Sequence, residues 1–201
     1  MKLYWAPGSC SLAVHIALRE TGLPFDMTKV DIFTKQTEDG GDYRSVNPRG
    51  ALPALTLDEG GVLTEVAVLL QYVADKAGDD ALLPQAGSLE RYRVLEWLNH
   101  LASEVHKGFS VLFNPTAPDA FKQVVKDKVA GHFADMDAAL GDSEWLANGR
   151  YSLADIYAFV IGNWAGAVGI DLATFPALSA ARARIASRPA VLAALQAEGL
   201  A

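Results

Sequence analysis

The sequence predicts an α/β layer over its first part and an all-helical second part, and three observations carry that expectation. Strand-like and helix-like periodicities alternate as far as Ala77, the pattern lapses from Asp79 to Gly87 around Pro84, and every periodic segment after Ser88 is helical. Two domains are therefore expected, at 1–78 and 88–201, with a linker at 79–87. At 201 residues the chain is long enough to bury a core without covalent staples.

Lys2 to Ala6 reads as a strand, and Ser11 to Thr21 as a helix with Leu12 and Ile16 on one face, stopped by Gly22. Phe25 to Ile32 is the next strand. After a polar stretch from Thr34 to Asn47, Leu52 to Leu57 and Val62 to Thr64 flank the turn Asp58-Glu59-Gly60-Gly61, which predicts a hairpin. Val66 to Ala77 is an apolar-rich helix ended by Gly78. Beyond the linker, Ser88 can cap a long helix running to about Phe113, with Tyr92, Leu95, Ala102, Phe109 and Leu112 near one stripe. Thr116 with Asp119 three residues on, and Pro118 in the first turn, opens a second helix; Ser152 with Asp155 three residues on marks a third; Pro176 and Pro189 each start a short terminal one.

The net charge of −7, from 17 basic and 24 acidic side chains, argues against a nucleic-acid partner, which needs a clustered basic surface. Arg182, Arg184 and Arg188 are the densest basic group and read most simply as a solvated face. No stretch has the length of a membrane span or a signal segment, and a single cysteine cannot form an internal bridge, so a soluble protein of the reducing cytoplasm is expected. His15, His100 and His132 have no partner at metal-ligand spacing, and no metal site is expected.

Four places could carry chemistry. Cys10 stands at a helix start, where unpaired N–H groups and the helix dipole favour a thiolate; a buried cysteine acting as a small hydrophobe is the plainer alternative. Pro53 stands at the entrance of a predicted strand, either as an edge-strand proline or after a cis bond that would turn the Leu52 backbone toward a peptide-like ligand. Glu65, with the N–H groups that begin the Val66 helix, suits the ammonium and carboxylate of an α-amino acid end, or it simply favours the helix dipole. Asn99, Ser103 and His106, at i, i+4 and i+7, form a polar line that either marks a solvent boundary or sets a histidine where it can hydrogen-bond a sulfur or carry a proton near neutral pH.

Several of these stretches occur together in one family. The segments Pro7-Gly8-Ser9-Cys10-Ser11-Leu12-Ala13, Val46-Asn47-Pro48-Arg49-Gly50-Ala51-Leu52-Pro53-Ala54-Leu55, Leu63-Thr64-Glu65, Glu96 to Asn99 with Glu104 to Phe109, and Ser152 to Asp155 resemble a cytosolic glutathione transferase of the bacterial beta class. The likeness spans essentially the whole chain. It implies a thioredoxin-like N-terminal domain, an all-α C-terminal domain, a cytoplasmic homodimer, glutathione as cosubstrate, and a detoxifying transfer of the glutathione thiol to hydrophobic electrophiles. It also implies that Leu52, before a cis Pro53, pairs with the cysteinyl backbone of glutathione, that Glu65 and Val66 hold the γ-glutamyl end, and that Lys35 meets the glycine carboxylate. Asn99, Ser103, Glu104 and His106 match positions lining the site, some contributed by a neighbouring subunit.

Val66 departs from the pattern, since many members carry serine there. Loss of one hydroxyl contact costs about 1 kcal/mol, or roughly fivefold in affinity. The resemblance supports two roles for Cys10, a hydrogen-bonding neighbour of the glutathione sulfur or a nucleophile for thiol–disulfide exchange. A glutathione-dependent isomerase or dehalogenase would share the binding half, and a noncatalytic ligand carrier would share the fold alone.

Overall fold

Leu3 and Trp5 turn to the same buried face of Lys2–Trp5, which makes this segment strand β1. The computed structural model describes residues 1–141 and 143–201. Strand β2 (Asp26–Lys29) runs parallel to β1, β3 (Ala54–Thr56) runs antiparallel to it, and β4 (Val62–Thr64) closes the hairpin, giving the order β2-β1-β3-β4. The expected hairpin forms, between β3 and β4. Strands β1, β2 and β3 are shorter than alternation suggested; the second ends at Lys29, after which Val30 donates to the Trp5 carbonyl and bridges Thr37.

Helix α1 (Ser11–Thr21) buries every side chain from Ser11 to Leu18, and α2 (Val66–Ala77) packs against it through Leu69, Leu70 and Val73. Gly22 and Gly78 end the two helices with φ of 67° and 65°, the left-handed conformation that glycine adopts without steric cost.

The compact units are 1–80 together with 188–201, and 81–187. This differs from the expected division at one place: α8 (Pro189–Ala197), assigned by its helical pattern to the second domain, packs on α1 in the first unit. Arg188 donates to both carboxylate oxygens of Glu20, at 2.7 and 2.9 Å, and Glu198 reaches Gly8 and His15. Such partners lie far apart in sequence, so local pattern cannot register them.

In the second unit the long helix is three pieces: α3 (Leu89–His100), a π-helical turn at Leu101–Val105, and α4 (His106–Leu112). Its buried stripe is Val94, Leu98, Leu101, Val105 and Phe109; Tyr92, placed on the stripe from sequence, is 57% exposed. The π turn lies within this stripe, whose i+3 and i+4 spacing continues through it; Tyr92 precedes the turn and lies two residues off the buried Val94. Helix α5 (Asp119–Leu140) packs on α4 and on α7 (Pro176–Ala186), and α6 (Leu153–Gly162) is buried along its whole length. At the start of α6, the backbone N–H and hydroxyl of Ser152 both donate to Asp155 Oδ2, while Leu146 N–H donates to Oδ1. Burial raises the Asp155 carboxyl to about 6 against the lowering effect of these donors.

The three arginines are not a solvated face. Arg182 caps the end of α6, donating to the Phe159 carbonyl and to Asn163, and Gly162 leaves the room its guanidinium takes, since a Cβ there would lie 2.2 Å from Nη1. Arg184 donates to the Glu144 carbonyl and stacks over Trp145.

Candidate active site

In the first unit the local folding brings Cys10, Leu52 and Glu65 to one end of the sheet, after β1, before β3 and after β4. Cys10 is the residue preceding α1, and its Sγ–H donates to the Leu52 carbonyl at 3.4 Å. The thiol is 9% exposed. Here the sequence expectation needs correcting: the thiol is pushed up to about 12 rather than down. Desolvation by burial dominates; the amides of Cys10 and Ser11 lower the value as a helix start should, but the Glu65 charge works against them. At neutral pH Cys10 is therefore a neutral thiol and a hydrogen-bond donor.

The Leu52–Pro53 bond is cis, and Pro53 is buried. The loop before it is held at the Ala51 carbonyl, which accepts from Tyr43 OH at 2.8 Å and from Asn47 Nδ2 at 2.7 Å, and at Asn47, which accepts from the Arg49 and Gly50 N–H groups. Among the described residues, nothing accepts from the Leu52 N–H. Lys35 has φ 63°, and its side chain runs beside Gly50, within 3.5 Å of where a Cβ would stand, so it reaches the same loop.

Glu65 has φ 71° and ψ 118°, a conformation that non-glycine residues avoid and that costs on the order of 1–3 kcal/mol. It precedes α2, whose third and fourth N–H groups, of Val68 and Leu69, donate to the Glu65 carbonyl. The N–H groups of Val66 and Ala67 have no acceptor among the described residues, and the Glu65 carboxylate is exposed, 3.8 Å from Arg49 Nη1. Strain, two free donors and a fixed negative charge meet at one point.

The second unit holds the remaining candidates. His106 Nδ1 and Tyr157 OH are 2.7 Å apart, and the imidazole lies 5.0 Å from the Trp164 ring. Trp164 in turn packs with Phe109 and Phe113. Burial, with Lys107 adding to it, lowers His106 to about 4, so the ring is neutral at pH 7 and does not carry the proton expected of it near neutrality. Asn99 and Ser103 are exposed. Glu104 is ion-paired with Lys128 at 2.7 Å, and that hydrogen bond holds its carboxyl below the ordinary value. Among the described residues no group of three or more His, Cys, Asp or Glu side chains is arranged to hold a metal ion.

Two family models match the chain, the N-terminal domain of glutathione S-transferase over residues 8–76 and its C-terminal domain over residues 100–189. Glutathione S-transferase GstA of Escherichia coli O157:H7 is 44% identical over 200 residues, covering all of both chains. The chain belongs to the glutathione S-transferase family. A sphingomonad glutathione S-transferase solved with glutathione is 50% identical with a TM-score of 0.96, and so is a bacterial beta class enzyme of Sphingomonas chungbukensis; each likeness covers the whole of both chains. This is a beta-class glutathione transferase, with the thioredoxin-like sheet and the helical domain of that fold.

Sequence reasoning missed the residues that, within each unit, hold the candidate ones in place. Tyr43 and Asn47 fix the Ala51 carbonyl, Arg49 faces Glu65, and Tyr157 fixes His106. Asn47 lies in the segment that carried the resemblance, and its role was within reach. Tyr157 is 51 residues from His106, and no spacing rule connects them.

Proposed function

We propose that the first unit of this transferase binds glutathione along the Leu52 edge and that Cys10 serves the reaction as a neutral thiol. The α-carboxylate of the γ-glutamyl end accepts from the Val66 and Ala67 N–H groups, and its ammonium faces Glu65. The cysteinyl amide pairs with the free N–H and the carbonyl of Leu52, and the glycine carboxylate meets Lys35. The observation that carries the reading is the Cys10 Sγ–H donating to the Leu52 carbonyl. A cysteinyl N–H arriving at that carbonyl competes for it and releases the Cys10 S–H to the glutathione sulfur, where it stabilises the thiolate that attacks an electrophile.

Burial keeps the Cys10 thiol protonated at neutral pH, which favours conjugation over exchange through a Cys10 mixed disulfide. We assign the apolar electrophile to the aromatic group of the second unit, Phe109, Phe113 and Trp164, beside the neutral His106. Asn99, Ser103 and Glu104 are assigned to polar contacts of that unit. The deciding experiment is steady-state conjugation of a chloronitroaromatic electrophile by the wild type and Cys10→Ala, with intact mass after incubation with glutathione disulfide. Turnover without a reducible glutathione adduct supports the reading; a stoichiometric adduct on Cys10 would move exchange to the front.

We also infer a homodimer. Val62 and Val68 on the first unit, and Leu89, Tyr92, Phe121 and Val124 on the second, are large apolar side chains 40–65% exposed, which a second copy would cover. Light scattering at micromolar concentration tests it, a monomer mass being the contrary result. No helix among the described residues is long and apolar enough to cross a membrane. We place the protein in the cytoplasm, where a lone thiol stays reduced.

A further inference from the structure

The loop that ends in Cys10 is fastened from two sides. On the inner side Ser11 Oγ donates to the Ala6 carbonyl, accepts from the Ala6 N–H, and lies 2.7 Å from Ser9 Oγ. On the outer side the fastening comes from the far end of the chain. Glu198, 6% exposed, follows α8; its Oε2 accepts from the Gly8 N–H at 3.0 Å and its Oε1 is 2.9 Å from His15 Nδ1. Arg19 Nε donates to His15 Nε2 at 2.8 Å, so Nε2 is the acceptor and Nδ1 carries the hydrogen given to Glu198.

The direction of every bond is thereby set: Arg19 to His15, His15 to Glu198, Gly8 to Glu198. The Glu198 and His15 side chains are both wholly buried, so the carboxylate has no competing water and its two oxygens define where the Gly8 amide must stand. Gly8 has φ 64°, and Leu200 lies 3.7 Å from where a Cβ on it would be, so the tail also closes over the loop.

We propose that Glu198 and His15 are positioning residues for Cys10, the C-terminal tail acting as a clasp that holds residues 7–10 in the geometry aiming the thiol at Leu52. Neither side chain touches substrate in this scheme. The inference rests on the reading of Cys10 as the thiol that serves glutathione, but the clasp can be read out without glutathione. The tail has a second tether, the Arg188–Glu20 pair at the other end of α8, remote from Cys10 in the chain, and this supplies the control.

The experiment compares wild type with Glu198→Ala, Glu198→Gln and Arg188→Ala in three measurements: thermal midpoint, the rate at which iodoacetamide labels Cys10 in the folded protein, and kcat against the KM for glutathione. Glu198→Ala is expected to label about fivefold faster and to lose about tenfold in kcat with KM within about twofold, because misplacement affects the reacting geometry more than ground-state binding. Glu198→Gln keeps one acceptor oxygen and falls between; it carries the test if the alanine variant does not fold. Arg188→Ala should lose stability with labelling and kcat near wild type. Unchanged labelling in both Glu198 variants, or an equal change in Arg188→Ala, overturns the clasp and leaves the tail a general stabiliser. Faster labelling with unchanged turnover supports the clasp and instead removes Cys10 from catalysis.

Discussion

In the binding mode proposed above, the first unit offers glutathione mostly main-chain atoms: the N–H and carbonyl of Leu52 and the N–H groups of Val66 and Ala67, with Cys10 and Glu65 as the side chains that matter most. The second unit is the reverse. Its distinctive features are side chains, an imidazole set among Tyr157 and Trp164, and a buried carboxylate that ties the start of α6 to Leu146. Main-chain groups are placed by the fold as a whole, and a change of side chain leaves the donor where it was. Side-chain groups are lost with a single substitution, so damage in the second unit should be larger and more local.

The largest effect is expected at Asp155. Asp155→Ala leaves the N–H groups of Leu146 and Ser152 without an acceptor in a buried site, and each such orphan costs about 1–3 kcal/mol. A loss of about 3 kcal/mol in chemical denaturation is expected, with Asp155→Asn losing less because one oxygen can still accept. A loss under about 0.5 kcal/mol in the alanine variant would mean that the start of α6 does not depend on this carboxylate.

Acid stability separates the two buried groups of the second unit. His106 has a folded value depressed from 6.5 to about 4, so the unfolded chain binds the extra proton; its contribution is present above 6.5 and lost as pH falls toward 4. Asp155 is raised from 3.8 to about 6, so its contribution is present below 3.8 and lost as pH rises through 6. Between pH 4 and 6 the two slopes oppose, each on the order of 1 kcal/mol per pH unit, and nearly cancel. In His106→Asn the remaining slope should make stability fall as pH rises across this window; in Asp155→Asn it should rise. Urea midpoints at several pH values read the sign directly, and parallel profiles in both variants would refute the opposition.

Cys10 gives the matching test for the first unit. Because the thiol is pushed up to about 12, iodoacetamide labelling should increase about tenfold per pH unit from 7 to 10 with no plateau. A plateau near pH 7 would mean that the helix start prevails over burial and would reinstate the thiolate.

How far the sequence reveals each unit follows from the same contrast. The succession of strands and helices along the first unit, the helix stops at Gly22 and Gly78, and the capping pair Ser152 and Asp155 are local devices, and short windows register them. Cys10 and Glu65 were legible as positions, since a helix start is a local event, yet the sign of the Cys10 shift was not, because desolvation depends on the residues that pack over a group. The clasp partners Gly8 and Glu198 are 190 residues apart and no periodicity joins them. The π turn at Leu101–Val105 was hidden for a third reason, since no residue type announces it.

The smallest predicted effect tests most directly whether the first unit binds through its main chain. Val66 is 6% exposed and offers its N–H alone, and Val66→Ser adds a hydroxyl at the start of α2 beside that donor. If the γ-glutamyl carboxylate sits there, the hydroxyl should add one hydrogen bond, about 1 kcal/mol, and lower the KM for glutathione by roughly fivefold. The same change removes buried apolar surface and should cost about 1 kcal/mol in stability without ligand. The opposite signs distinguish the site from the core: tighter glutathione binding with a lower thermal midpoint is expected. An unchanged KM with the same loss of stability would mean that the carboxylate binds elsewhere and that the free N–H groups of Val66 and Ala67 serve only the helix.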